Sequence, residues 1–311
     1  MEKGFLRIIG VLIFITILYK INVLRIIPIL KNVDLYLLGI SIFLVLPLMS
    51  VKAARWSSLL LMQDIHYPLK DAISVYLASY YIGLVTPGRL GDFIKVLYLK
   101  RGRAIPYGKA FVSALMDRLF DLLLIVMVGI TGISSFGLFN RFGYTSFGLL
   151  ALMILLLGSL FNNKILDRIL RNVYKTLSRR WRDRVQLHFN DFAVDINKLK
   201  NIKLSLPLLL TIVAYCITFL QCYLMALALH MGLSFFYIAF TVSIAGLVAL
   251  LPISFAGIGT RDVTVIFLFG LMGIGPQEAV SFSLLYLTVF VFVIGLWGAV
   301  YWLRKPLKVK E

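Results

Sequence analysis

Two apolar stretches of the chain are each interrupted near the middle by proline, glycine, arginine and aspartate. The first reads LVTPGRLGDFIK from Leu84 to Lys95, and the second reads LLPISFAGIGTRDVTVIF from Leu250 to Phe267. The hydrocarbon core of a bilayer tolerates such a break only where protein or a water-filled cavity surrounds the freed backbone groups. Charged residues at that depth mark a functional site by default. The sequence therefore predicts two working sites inside a membrane.

The composition supports a membrane location. Of 311 residues, 60% are hydrophobic and 15% are charged, and the mean hydropathy is +0.93. These values predict an all-α polytopic protein of the cell membrane. The net charge of +18 indicates cytoplasmic loops and contact with anionic lipid, and we expect no nucleic-acid partner.

Several kinds of chemistry find no support in the sequence. The two cysteines and three histidines show no metal-ligand spacing, so we expect no metal site and no cofactor. No GxxxxGK[ST] phosphate loop occurs, so ATP hydrolysis is not expected. We also expect no catalytic residues.

Apolar runs of helical length predict about six transmembrane helices in one membrane domain, residues 1–311. They lie near 5–24, 35–51, 119–136, 146–161, 205–229 and 279–303. Lysine and arginine collect before the third span, in the 162–203 segment and at the C-terminus, which predicts that both termini are cytoplasmic. The 162–203 segment also reads as a basic amphipathic helix, lying either on the membrane surface or against the protein itself.

Two further segments, 71–100 and 233–273, each contain two apolar runs that are too short to cross a bilayer alone. We interpret them as re-entrant helical hairpins whose breaks are marked by Pro87 and Pro252. The flanks of the first hairpin are basic and those of the second are almost uncharged, so the two should enter from opposite sides. The alternative is a proline–glycine kink in an ordinary long span.

One span precedes and one span follows each predicted hairpin. The chain therefore divides into repeat 1, residues 35–136, and repeat 2, residues 205–303, with opposite orientations. Inverted-topology duplication of this kind is the plan of many transporters.

The predicted hairpin tips favour an anion. Arg89 and Arg261 stand where each second half-helix is expected to start, and the positive end of a helix dipole adds to their charge. Glycines at the tips would let backbone approach a phosphate closely. The candidate substrate-binding residues are Arg89, Arg261, Gly88, Gly91, Gly257, Gly259, Ser254 and Tyr80.

Carboxylates accompany these arginines. Asp92 and Asp262 follow the tip glycines, where they could cap a helix and pair with arginine or take part in proton or substrate coupling. In the run ALMDRLFDLL, Asp117 and Asp121 share one helix face at the expected start of the third span, with Arg118 beside them. They could hold a cation or a proton, or simply neutralise Arg89 and Lys95. Arg55 and Trp56 are expected at the cytoplasmic boundary as supporting groups.

Four segments in the same order resemble the lysylphosphatidylglycerol synthase transmembrane-region family, also called flippase-like domain proteins. They are the Arg55–Trp56 pair, PGRLGD at 87–92, DRLFD at 117–121 and PISFAGIGTRD ending at Asp262. The resemblance implies movement of an anionic lipid across the bilayer, such as an aminoacylated phosphatidylglycerol or a polyprenyl-phosphate-linked sugar. No soluble aminoacyl-transferase domain is seen after the membrane region, so we expect a stand-alone member that does not synthesise the lipid.

The favoured hypothesis is a flippase that holds the lipid phosphate between the two tips. One alternative is a membrane-embedded transferase acting on a lipid phosphate, with Asp92, Asp117 or Asp121 as base or metal ligand. Another is a secondary transporter of a small anion. A second copy of the chain and a lipid-synthesising enzyme are both left open as protein partners.

Overall fold

The computed structural model describes residues 23–103, 105–138, 204–250, 254 and 257–304, with three isolated positions at 16, 19 and 148. These residues are almost entirely helical, and no strand occurs among them. Apart from those isolated positions and residues 23 and 24, the predicted spans at 5–24 and 146–161 lie outside the described part of the chain, as do the 162–203 linker and Pro252. The all-α architecture expected from the sequence is confirmed for the remainder.

A short 3-10 turn at Val23–Arg25 precedes eleven α-helices among the described residues. They are α1 (Ile26–Lys31), α2 (Leu35–Phe43), α3 (Val45–Leu61), α4 (Leu69–Leu84), α5 (Ile94–Arg103), α6 (Tyr107–Ser135), α7 (Ser205–Ala228), α8 (Phe235–Ala249), α9 (Thr260–Leu271), α10 (Pro276–Tyr286) and α11 (Ile294–Arg304). A 3-10 segment, Pro87–Phe93, precedes α5, and a π-helical segment, Leu287–Val293, joins α10 to α11.

Polar residues and prolines set several of these helix ends. The Asp34 carboxylate caps α2 by accepting hydrogen bonds from the backbone N–H groups of Tyr36 and Leu37 at 2.9 and 3.2 Å. Pro276 occupies the first position of α10, where the missing N–H would have no partner within the helix. Local sequence thus accounts for where these helices begin.

Three continuous helical stretches are long and apolar enough to cross a membrane. They are Leu35–Leu61, Ser205–Ala228 and Pro276–Arg304. The first extends the predicted span at 35–51 by ten residues, and the other two agree closely with 205–229 and 279–303. The predicted span at 119–136 is the second half of α6, which begins at Tyr107.

Each of the two interrupted stretches separates a pair of helices. The 3-10 segment Pro87–Phe93 lies between α4 and α5, so Arg89 precedes the second helix rather than beginning it. Residues 250–259 separate α8 from α9, and there Gly257 and Gly259 have φ angles of 77° and 88°. Glycine adopts this left-handed region without the steric strain that a side chain would bring.

The two halves of the chain pack against each other through paired glycines. Gly295 and Gly298 of α11 lie against α4, where a Cβ on Gly298 would meet the carbonyl oxygen of Leu77. Gly129 and Gly132 of α6 lie against α8. Small residues at such contacts allow close approach of membrane helices. The first glycine pair follows the second by 166 residues, so glycine contacts of the same kind occur in both halves of the chain at that spacing.

Candidate functional site

A cavity of about 500 Å³ lies where the two interrupted stretches meet. α3, α4, α6, α7, α8, α9 and α10 all contribute to its wall, together with the 3-10 and π-helical segments. Most of the lining is apolar, and its charged members among the described residues are Lys52, Arg89, Arg118, Asp121 and Arg261. The structure thus brings Arg89 and Arg261, 172 residues apart in the chain, to one cavity.

Arg261 is held tightly at the first turn of α9. Its Nε donates to Asp262 Oδ1 at 3.0 Å, and its guanidinium carbon lies 4.5 Å from the centre of the Tyr286 ring. Its side chain is 4% exposed, and Nη1 has no hydrogen-bond partner among the described residues. A buried guanidinium with a donor to spare is suited to an anion that enters the cavity.

Arg89 is placed by an unusual backbone conformation. Its φ is 56°, which is uncommon for a residue other than glycine and is concentrated at functional sites. Its guanidinium carbon lies 4.5 Å from the centre of the Tyr80 ring, and its Nε is 3.9 Å from Asp92 Oδ2. The side chain is 29% exposed, more than any other in the charged network of the cavity. Each tip arginine therefore stacks on a tyrosine.

Tyr80 and Ser254 also line the cavity. The Tyr80 hydroxyl donates to the carbonyl oxygen of Phe290 at 3.1 Å, inside the π-helical segment. Ser254 Oγ shares a hydrogen bond of 2.8 Å with Thr260 Oγ1. π-helical turns occur often at functional sites. These contacts hold α4, α9 and the last helical stretch around the arginines.

The tip glycines have packing roles. A Cβ on Gly91 would meet the backbone carbonyl of Ile82, and a Cβ on Gly257 would lie 2.6 Å from the Ala249 Cβ. Neither Gly91, Gly257 nor Gly259 is among the described residues that line the cavity. Gly259 N donates to Asp262 Oδ2 at 2.9 Å, so this carboxylate already satisfies one N–H at the start of α9. Anion binding at this tip would depend on the Arg261 side chain more than on backbone.

A tight ion cluster lies behind the cavity. Asp117 accepts from Arg55 Nε at 2.8 Å, from Lys95 Nζ at 2.6 Å and from the Tyr76 hydroxyl at 3.2 Å. Arg55 also donates to Asp121 at 2.8 Å and to Thr211 of α7 at 3.1 Å. Arg55 and Asp117 are completely buried. This cluster joins α3, α4, α5, α6 and α7, which makes it a structural clamp between the halves of the chain.

A looser chain of charges runs along the cavity wall. Asp121 lies 3.8 Å from Lys52 Nζ and 3.7 Å from Arg118 Nη1, and Arg118 in turn pairs with Asp92. Asp92 is the carboxylate next to Arg89. The contacts of Lys52 and Arg118 with Asp121 and of Arg89 with Asp92 are 3.7 to 3.9 Å long, whereas Arg118 and Asp92 are in close contact. Ion pairs at 3.7 Å or more are weaker than hydrogen-bonded ones and exchange more easily with a ligand. The charged groups therefore divide into a tight buried cluster and a chain at the cavity in which Lys52 and Arg89 are held only loosely.

Sequence reasoning missed three contributors to this site. Lys52 lies inside a long apolar helix, and a charged residue at such a position is itself a sequence signal for a functional site. Tyr286, which stacks on Arg261, and Tyr215, whose ring lies 5.1 Å from Lys52 Nζ, carry no local signal in the sequence. Arg55 and Trp56 were expected at an interface, yet both are completely buried.

No group of three His, Cys, Asp or Glu side chains is close enough to hold a metal ion within the part of the chain that the structure describes. Each carboxylate of the cavity and the cluster instead contacts arginine or lysine. The arrangement can attract an anion and neutralise it with several donors.

Sequence comparison identifies the relatives of this chain. UPF0104 membrane protein PH1989 of Pyrococcus horikoshii is 22% identical over 96% of this chain and 96% of its own length. UPF0104 membrane protein MJ1595 of Methanocaldococcus jannaschii is 23% identical over 91% of this chain and 89% of its own. No solved structure matches the chain.

A family model described as the lysylphosphatidylglycerol synthase TM region matches residues 5–298, nearly the whole chain. The match includes both interrupted stretches, both tip arginines and the ion cluster. It confirms the resemblance seen in the sequence motifs. The chain is a membrane protein and belongs to the lysylphosphatidylglycerol synthase TM-region family.

Proposed function

We propose that this protein moves an anionic lipid across the membrane, with the lipid phosphate held between Arg89 and Arg261. The observation that carries the proposal is that both arginines line one cavity, each stacked on a tyrosine. Nη1 of Arg261 is buried with no partner among the described residues. Arginine forks bind phosphate oxygens in pairs, so two of them can enclose one phosphate.

The remainder of the cavity suits a lipid. Its wall is mainly leucine, phenylalanine, valine and other apolar side chains, contributed by both halves of the chain. A hydrocarbon tail could lie against this wall or pass into the bilayer while the phosphate stays at the arginines. A small soluble anion would leave the apolar part unused.

Transport also requires alternating access from the two sides. We propose that 71–100 and 233–273 are re-entrant hairpins in two inverted repeats, 35–136 and 205–303. The equivalent glycine contacts, α4 on α11 and α8 on α6, support this duplication. In inverted-repeat transporters, one repeat rocks against the other around a central site. Closely packed helices without bulky side chains between them are suited to such sliding.

Leaflet exchange in proteoliposomes tests the proposal. The probe is acyl-labelled phosphatidic acid or phosphatidylglycerol, with a matched phosphatidylcholine probe, which has no net charge. We expect the protein to exchange at least one anionic probe, and Arg89→Gln and Arg261→Gln to slow that exchange about tenfold or more, because each removes a charge-assisted pair of hydrogen bonds. Arg304→Gln, at an exposed arginine that ends α11, is the matched control and should behave as wild type.

Two results would contradict the proposal. One is exchange at the wild-type rate in both tip variants. The other is a probe that is recovered chemically altered, because transport leaves the lipid unchanged whereas a transferase does not.

A further inference from the structure

The charged groups around the cavity do not balance. Those that line it directly are Lys52, Arg89, Arg118, Arg261 and Asp121. Those that pair with them or lie behind them are Arg55, Lys95, Asp92, Asp117 and Asp262. Among the described residues, this network contains six cations and four carboxylates. It therefore has a surplus of two positive charges.

The surplus lies at the cavity rather than in the buried cluster. Asp117 is shared by Arg55 and Lys95, and Asp121 is bound to Arg55 at 2.8 Å. These short contacts draw both carboxylates towards the buried side. The contacts of Lys52 and Arg89 with carboxylates are all long, at 3.8 Å from Asp121 and 3.9 Å from Asp92. They are the two cations with the weakest compensation.

A cation without a counter-charge is unfavourable in a low-dielectric interior, so such a site favours a ligand that supplies the missing charge. A phosphodiester lipid such as phosphatidylglycerol carries one negative charge. A lipid that ends in a phosphomonoester carries close to two at neutral pH, because its second ionisation occurs at about pH 6. Only the second kind would balance both Lys52 and Arg89.

We infer that the cavity selects lipids whose headgroup is a phosphomonoester, the chemistry shared by phosphatidic acid and polyprenyl monophosphate. The inference rests on the proposed function and names the substrate class of the same site. Three terminal phosphate oxygens can accept hydrogen bonds from Arg89, Arg261 and Lys52 at once, whereas a phosphodiester has two unesterified oxygens. Lys52 is then the residue that distinguishes phosphomonoester lipids from phosphodiester lipids.

Competition binding to the full-length protein tests this selectivity. Phosphatidic acid and phosphatidylglycerol with identical acyl chains are offered together, and the bound lipid is counted by native mass spectrometry at pH 7 and pH 5. At pH 7 we expect phosphatidic acid to be preferred by roughly tenfold or more, because it forms one more charge pair. At pH 5 its phosphate is mostly singly charged, and the preference should shrink towards equality. Polyprenyl monophosphate is run beside it, and preference for either phosphomonoester over phosphatidylglycerol supports the inference.

Lys52→Gln provides the specific variant. It removes one of the two surplus charges and should bring the preference at pH 7 close to equality while phosphatidylglycerol still binds. Lys70→Gln is the matched control, because Lys70 is exposed in the first turn of α4 and does not line the cavity. It should keep the wild-type preference.

The possible outcomes distinguish a failure of the headgroup selectivity from a failure of the proposed function. Equal binding of phosphatidic acid and phosphatidylglycerol at both pH values would overturn the inference and leave the proposed function intact. Binding of neither lipid would overturn both. Competition by glycerol 3-phosphate at the same concentration as phosphatidic acid would show a small-anion site and would overturn the lipid class.

Discussion

Replacing Asp117 by asparagine tests the clamp behind the cavity. The substitution keeps the size of the side chain and one oxygen acceptor but removes the negative charge between Arg55 and Lys95. At 2.6 to 2.8 Å, each charge pair corresponds to about 6 kcal/mol of Coulomb energy at an effective dielectric constant of ~20. Asp121 remains bound to Arg55 and the asparagine oxygen replaces part of the hydrogen bonding. The net loss should fall in the range of about 3–5 kcal/mol seen when one partner of a buried pair is removed.

The assay is equilibrium unfolding of the purified protein in mixed micelles, followed by the loss of helical signal. Asp34→Asn is the matched control, because Asp34 only caps α2 and asparagine caps a helix equally well. Its free energy of unfolding should change by less than about 0.5 kcal/mol.

A double variant separates charge from size. Lys95→Met in the Asp117→Asn background removes the cation that the first change leaves unpaired, so it should restore a large part of the lost stability. A loss below about 1 kcal/mol for Asp117→Asn alone, or no recovery in the double variant, would refute the clamp.

Two further substitutions follow from packing. Gly298→Leu should lower the free energy of unfolding by about 1–3 kcal/mol and slow lipid exchange, because even the Cβ would meet the Leu77 carbonyl. Gly270→Leu is the control, since open space surrounds this glycine, and it should have little effect on unfolding. Tyr80→Phe should lower the free energy of unfolding by about 1 kcal/mol in the same assay, because the hydrogen bond to Phe290 is lost. Lipid exchange should remain active, because the ring under Arg89 remains. Loss of exchange at normal stability would instead give the hydroxyl a direct role in transport.

The interrupted stretches could be found from sequence because their departure from apolar composition is local. Proline, glycine and charged residues in a hydrophobic run identify a break without any knowledge of its neighbours. The same reasoning identified Arg89 and Arg261, and the structure places both at one cavity. It could not place the helix start after Arg89, because a 3-10 segment occupies Pro87–Phe93 and Arg89 within it has a positive φ that arginine rarely adopts.

Contacts between residues that are far apart in the chain could not be predicted from the sequence. The sequence predicts Arg55 and Trp56 at the cytoplasmic boundary, where tyrosine and tryptophan are common anchors. In the structure the partners of Arg55 are Asp117 and Thr211, 62 and 156 residues away. A single sequence shows that a charge is buried or exposed only through its neighbours along the helix, and those do not reveal a partner on another helix. The pairing of tip arginines with Tyr80 and Tyr286 was hidden for the same reason.

The lipid that copurifies with the protein tests the central claim most directly. Wild type, Arg304→Gln and the Arg89→Gln/Arg261→Gln double variant are purified in parallel under mild conditions, and their bound lipids are identified by mass spectrometry. We predict a phosphate-bearing anionic lipid with the first two proteins and its loss from the double variant. The same anionic lipid in equal amount on the double variant would contradict a phosphate site between Arg89 and Arg261.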